Sequence, residues 1–234
     1  MSERDDPHFD RYAGKYDDLH RDSIRASGEE PEYFAAYKAD YVRRMVPDGT
    51  GRLRILDFGC GIGNGIPHMA ARFPGAELTG VDVSGDSLEL ARAAHPQARF
   101  ERIEDERLPL ADASADVAVA ACVFHHIPPL ERAQWIAELR RVLAPGGLLF
   151  VFEHNPLNPV TQRVVAACEF DDDAILLPKA ETVGLMRGAG FEGVDVDYIV
   201  FFPRVLAALR PMERHLAWLP AGAQYAVHGQ VASR

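Results

Sequence analysis

The feature that most constrains this chain is a rhythm. Between residues 53 and 153, five short strand-like runs alternate with helical stretches. The runs cover 53–58, 77–83, 99–103, 116–123 and 148–153, and helices are predicted over 64–73, 84–94 and 128–143. Ser84 suits the N-cap of its helix, and Pro145-Gly146-Gly147 closes the third. The run 116–123 is almost wholly apolar, as a strand covered on both faces must be. After 153 come a polar stretch, a helix over 179–189, an extended run over 194–202 and a last strand near 225–231 that closes the sheet. The pattern predicts an α/β, doubly wound, mostly parallel seven-stranded sheet with helices on both faces.

Residues 29–46 read differently. Tyr33, Phe34, Tyr37, Tyr41, Val42 and Met45 fall at helical spacing and need something to cover. Residues 1–48 are therefore expected to form a helical lid. Residues 49–234 form the α/β domain, with an acceptor-recognition insertion near 154–178. No internal repeat or low-complexity linker divides them.

The first strand breaks into Asp57-Phe58-Gly59-Cys60-Gly61-Ile62-Gly63-Asn64-Gly65 and then a helix. Glycine lets backbone approach a ligand, and the N–H groups of the helix start face the same space. Asp82 ends the next strand, where a carboxylate accepts hydrogen bonds from both ribose hydroxyls of a nucleoside. Such a loop between a buried strand and a helix, with an acid at the second strand end, predicts an adenosine-bearing cofactor. Dinucleotide enzymes prefer G-x-G-x-x-G. Here the third glycine of that pattern falls on Asn64 or Ile66, and D-x-G-x-G-x-G stands instead.

D-x-G-x-G-x-G with Asp82 resembles the first motifs of class I S-adenosylmethionine-dependent methyltransferases. The resemblance runs from about residue 9 to 231. It implies the Rossmann-like methyltransferase fold, S-adenosyl-L-methionine as cofactor and S-adenosyl-L-homocysteine as product. It also implies that Asp57, Gly59, Gly61, Gly63, Asp82 and Val83 hold the cofactor. Residues 99–105 with Leu108-Pro109 resemble the adenine-binding turn, which implicates Ile103 and Glu104, with Asp105 adjacent. Residues 116–126 resemble the fourth-strand motif, which places Ala121 and Cys122 beside the reactive methyl. The opening Phe9-Asp10 to Tyr16-Asp17 resembles that of small-molecule members, where Tyr16 covers the cofactor.

On the acceptor side, His125 and His126 follow the fourth strand and His154 the fifth, at the strand ends where doubly wound folds bind ligands. Imidazole suits a general base, which a hydroxyl acceptor needs and an amine or thiolate does not. Alternate residues of a strand face opposite ways, so one of the pair is expected to face the pocket. His126 is the first choice, with Phe124 as an aromatic wall on its face. A metal site from His125, His126, His154 and Asp171 to Asp173 is set aside, because adjacent histidines often point apart. The tail over 199–220 is apolar and aromatic. Core packing is its commoner explanation and a greasy wall for an apolar or lipid-linked acceptor the sharper one.

The rest of the composition bounds the partners. The formal net charge of −10 disfavours a nucleic-acid partner. Cys60, Cys122 and Cys168 are odd in number and widely spaced, which fits a reducing, cytoplasmic setting rather than a disulfide framework. No apolar signal core and no span of about 18 apolar residues is present. The leading expectation is O- or N-methylation of a small molecule. An NAD-type oxidoreductase and a non-catalytic cofactor-binding subunit remain the alternatives.

Overall fold

The computed structural model describes residue 10, residues 16–47 and residues 52–233. Seven strands form one sheet: β1 (Arg54–Phe58), β2 (Glu77–Asp82), β3 (Arg99–Arg102), β4 (Ala115–Ala121), β5 (Leu143–His154), β6 (Phe191–Ile199) and β7 (Gln224–Val231). Their order is β3-β2-β1-β4-β5-β7-β6. The pairs among β1 to β5 are parallel, while β7 runs antiparallel to both β5 and β6. The predicted sheet is present.

Each strand feeds two cores by the period-2 rule. Leu56, Phe58, Ala118, Ala120, Leu149 and Val151 face one side, covered by α5 (Arg132–Val142) and α7 (Lys179–Gly188). Ile55, Val117, Val119, Phe150 and Phe152 face the other, covered by α2 (Pro31–Met45), α3 (Ile66–Arg72) and α4 (Gly85–Ala94). Ser84 caps α4, its side chain accepting from the Ser87 N–H. A shorter helix, α1 (Tyr16–Ile24), precedes α2, and α6 (Pro159–Ala166) follows β5.

Several sequence expectations are corrected. β7 does not close the sheet; it fills the slot between β5 and β6, and β6 is the edge. Burial explains the assignment: six of the eight residues of β7 are buried and none is Asp, Glu, Lys or Arg, whereas β6 carries Glu192, Asp195 and Asp197, charges that suit an edge. β6 also begins at Phe191 and ends at Ile199, because Val200 takes φ +60° and breaks the ladder. The Pro-Gly-Gly turn is absorbed into β5 as an irregularity. Gly146 takes φ +80° there, and the register jumps from Ala115 opposite Leu143 to Val117 opposite Leu148.

The segment expected as a lid divides in two. Ala39, Tyr41 and Val42 of α2 are buried in the second core. Tyr41 packs edge-on against Phe150 and Phe152, and its hydroxyl donates to Asp197 of β6 at 2.7 Å. That half of the segment is scaffold. Ser23 and Ile24 of α1, with Phe34 and Lys38 of α2, instead border a cavity at the carboxyl edge of the sheet.

Candidate active site

The cavity, of about 370 Å³, opens where β1, β2, β4 and β5 end. On its β2–β3 side the glycine loop is pinned to the neighbouring strand: the Gly59 and Cys60 N–H groups both donate to the Val81 carbonyl, at 2.8 and 3.1 Å. Gly59, Gly61 and Gly63 all take positive φ, which side chains rarely adopt. A Cβ on Gly59 would strike Val123 at 2.5 Å, whereas one on Gly61 would meet nothing within 4 Å. The first glycine is required by packing. The second faces the open cavity.

Asp82 is 8% exposed and binds two backbone N–H groups, Gly61 to Oδ2 at 2.7 Å and Ser84 to Oδ1 at 2.9 Å. Each carboxylate oxygen keeps a second lone pair for a ligand hydroxyl. Burial raises the Asp82 pKa, and its backbone donors oppose that shift. Asp57 lies against Gly65 inside the loop and is pushed up to about 7, first by burial and then by the Asp82 charge. Val83 and Ile103 also line this side. Glu104 is exposed and is not among the lining residues. Asp105 is likewise exposed. Phe9 and the side chain of Tyr16 lie outside the described residues, so the expected aromatic cover is not placed.

The β4–β5 side carries the histidines. Ala121 ends β4 and Cys122 follows it with φ +60°, and both line the cavity with His125, His126 and His154. The expectation that one of the adjacent pair would turn away is wrong. β4 stops at Ala121, and Phe124–His126 form a 3-10 turn in which strand alternation does not apply. Phe124 is buried against Phe58 in the core, not beside His126. The His125 and His126 rings lie 4.1 Å apart and those of His125 and His154 5.0 Å apart.

Glu153, fully buried at the end of β5, organises this cluster. Its Oε1 accepts the Val123 and Phe124 N–H groups at 3.1 and 2.7 Å, and Oε2 lies 2.7 Å from His125 Nδ1. Burial alone would discharge His125, but Glu153 and then Asp171 outweigh it and raise its pKa to about 10. His154 is driven the other way, to about 3, by burial and by the His125 charge. His126 Nδ1 lies 2.9 Å from Asp173. One cavity thus joins a nucleoside-type cradle to a cluster of imidazoles and carboxylates.

Sequence reasoning missed Glu153, Lys38 and Gln224. Two of them had a signal: Glu153 is the charge that directly ends the apolar run Leu148 to Phe152, and Lys38 falls four residues after Phe34, on the apolar helix face. Lys38 Nζ reaches Cys122 Sγ at 3.7 Å, and Gln224 Nε2 reaches it at 3.5 Å. The apolar tail divides. Ile199 is buried and Phe201 packs against the first core, as core packing requires, whereas Val205, Leu206, Leu209 and Trp218 are exposed, and none of these six borders the cavity. The tail is also held to α2 by polar contacts, with Glu213 accepting from the Tyr37 hydroxyl and Arg210 lying over the Tyr33 ring.

Comparison with known proteins agrees with this geometry. A family described as a methyltransferase domain matches residues 55–147. A demethylmenaquinone methyltransferase of Chlorobaculum parvum is 34% identical over 157 residues, 67% of this chain and 62% of that protein. The chain thus spans less than two thirds of that relative. A probable S-adenosylmethionine-dependent methyltransferase of Mycolicibacterium smegmatis is 32% identical over 199 residues, covering 75% of this chain and 71% of that one. In fold, a Thermotoga maritima S-adenosylmethionine-dependent methyltransferase superposes with TM-score 0.65 at 22% identity, over 95% of this chain and 98% of the other. Sequence, sheet order and cradle agree, and this chain belongs to the S-adenosylmethionine-dependent methyltransferases.

Proposed function

We propose that this protein transfers a methyl group from S-adenosyl-L-methionine to a small-molecule acceptor bound beside the histidine cluster. The observation that carries the reading is the single cavity, with Gly61 and Asp82 at one side and His125, His126 and His154 at the other. The cofactor supplies a methyl carried on a sulfonium, and the cradle fits it: Asp82 has lone pairs left for ribose hydroxyls, and Gly61 leaves its approach open. The chain's own task is alignment and exclusion of water, which supplies much of the rate in an in-line displacement. Ile24, Phe34, Phe58, Ile127 and Trp135 make the walls largely apolar. An apolar acceptor fits such walls, and a relative named for demethylmenaquinone supports that choice.

Where the acceptor is a hydroxyl, its proton has to go somewhere. His125 is already protonated at neutral pH, and His154, with a pKa near 3, is a weak base. His126, oriented by Asp173, is the proton acceptor in this reading. Among the described residues no helix is long and apolar enough to cross a membrane, and we assign the protein to the cytoplasm. The experiment is calorimetric titration with adenosylhomocysteine and with NADH, followed by turnover of His126→Ala on hydroxyl acceptors. Tight binding of the first ligand and a loss of about 10²–10⁴ in rate are expected. Preference for NADH would return the chain to the oxidoreductase reading.

A further inference from the structure

The histidines and Asp171 converge in a way that an ion-pair network does not require. Asp171 Oδ1 lies 3.4 Å from His125 Nε2 and 3.3 Å from His126 Nε2. It is buried, yet it takes no hydrogen bond of normal geometry from any described residue. The three donor atoms lie within 4.8 Å of one another. Around an ion bonded to nitrogen and oxygen at about 2.1 Å, tetrahedral geometry separates neighbouring ligand atoms by about 3.4 Å. Two of the three edges already have that length. A small rotation of His126, the less buried ring, closes the third.

The far sides of both rings are equally telling. His125 Nδ1 is held by Glu153 at 2.7 Å and His126 Nδ1 by Asp173 at 2.9 Å. A carboxylate on the outer nitrogen fixes the tautomer and aims the inner lone pair, as outer partners do around metal-bound histidine. The third ligand is also anchored. The Ile175 N–H donates to the His125 carbonyl at 2.8 Å, and fully buried Arg132 bridges the Ile127 and Ile175 carbonyls at 2.9 and 2.7 Å. That clamp fixes the segment carrying Asp171 relative to the turn carrying the histidines.

We propose that His125, His126 and Asp171 bind one divalent first-row transition ion, with its remaining positions open to the cavity. Two imidazoles and a carboxylate suit zinc, iron or manganese; the nitrogen ligands disfavour magnesium, and none of the three donor groups is a thiolate that would select a soft ion. The open positions suit an acceptor with oxygen donors, such as a hydroxyl beside a carbonyl. This last point rests on the reading that the acceptor docks here. Binding displaces the proton from His125 Nε2, and with the ion bound His126 is a ligand, so its role as proton acceptor belongs to the ion-free protein.

The full chain, stripped with chelator, is titrated with Zn²⁺, Co²⁺ and Mg²⁺ by calorimetry, with Co²⁺ visible absorption reporting coordination. Adenosylhomocysteine affinity is measured in parallel on every variant. One equivalent of Zn²⁺ and Co²⁺ is expected, with Mg²⁺ far weaker. Asp171→Ala and His126→Ala abolish binding while leaving adenosylhomocysteine affinity intact, which shows that they fold. Asp173→Ala weakens it about 10- to 100-fold. Failure to bind a stoichiometric ion, or binding indifferent to Asp171→Ala and His126→Ala, overturns the site. Loss of adenosylhomocysteine binding by the wild type, with the ion still bound, would sink the methyltransferase reading instead.

Discussion

Replacing Glu153 with Gln tests the electrostatics of the histidine cluster. The substitution keeps shape, and the amide oxygen still accepts the Val123 and Phe124 N–H groups. What is lost is the charge 2.7 Å from His125 Nδ1, in a site where both side chains are essentially unexposed. In the chelated wild type, His125 keeps its proton up to about pH 10, whereas an unfolded histidine releases it near its ordinary value of 6.5. The folded state therefore binds the extra proton between those values. The stability from this pair is complete below about 6.5 and falls with rising pH, by about 1.4 kcal/mol per pH unit. In Glu153→Gln the His125 pKa drops, because burial then lacks its main opposing charge, and this slope disappears. The assay is urea unfolding of both proteins at pH 7, 8 and 9 with chelator present. Wild type is more stable at pH 7, and its advantage shrinks by about 3 kcal/mol by pH 9. Parallel pH profiles for the two proteins would refute a charged His125 held by Glu153.

Asp82→Ala lowers adenosylhomocysteine affinity about ten- to hundredfold in calorimetry, the worth of hydrogen bonds to a charged group; wild-type affinity would remove Asp82 from the cradle. Gly61→Val and Gly59→Ala separate ligand clearance from packing. The first abolishes adenosylhomocysteine binding, and its loss of thermal stability comes from straining a β-branched residue at φ +51° and not from collision, since its Cβ meets nothing within 4 Å. The second lowers the melting temperature sharply, because its Cβ collides with Val123; equal melting temperatures for the two would contradict the geometry. Hydrogen exchange with and without adenosylhomocysteine is expected to show protection gained in α1 and at Phe34 and Lys38, and none at Ala39 to Val42, which the sheet already buries. Ligand-dependent protection at Ala39 to Val42 would restore the whole segment to the lid.

The sequence by itself determined the strands, the glycine loop and the acid at the end of β2. These are local facts: period-2 burial, positive-φ glycines and a strand-to-helix break leave their marks within a few residues. It placed Gly59, Gly61, Asp82, Val83, Ile103, Ala121, Cys122 and all three histidines where the structure finds a common cavity. It did not reveal that His125 and His126 face the same way. That depends on β4 ending at Ala121 and giving way to a 3-10 turn, whose start the Glu153 carboxylate holds from 29 and 30 residues away by capturing the Phe124 and Val123 N–H groups. Nor did it show that Asp171 meets both imidazoles, since long-range contacts such as the Arg132 clamp and the Ile175 bond bring that segment back across the strand ends. The same limit applies to α2, whose apolar face reads equally well as a lid or as scaffold. Tyr41 packing on Phe150 and Phe152 made it scaffold, because a helix stripe names no partner until the sheet beside it exists.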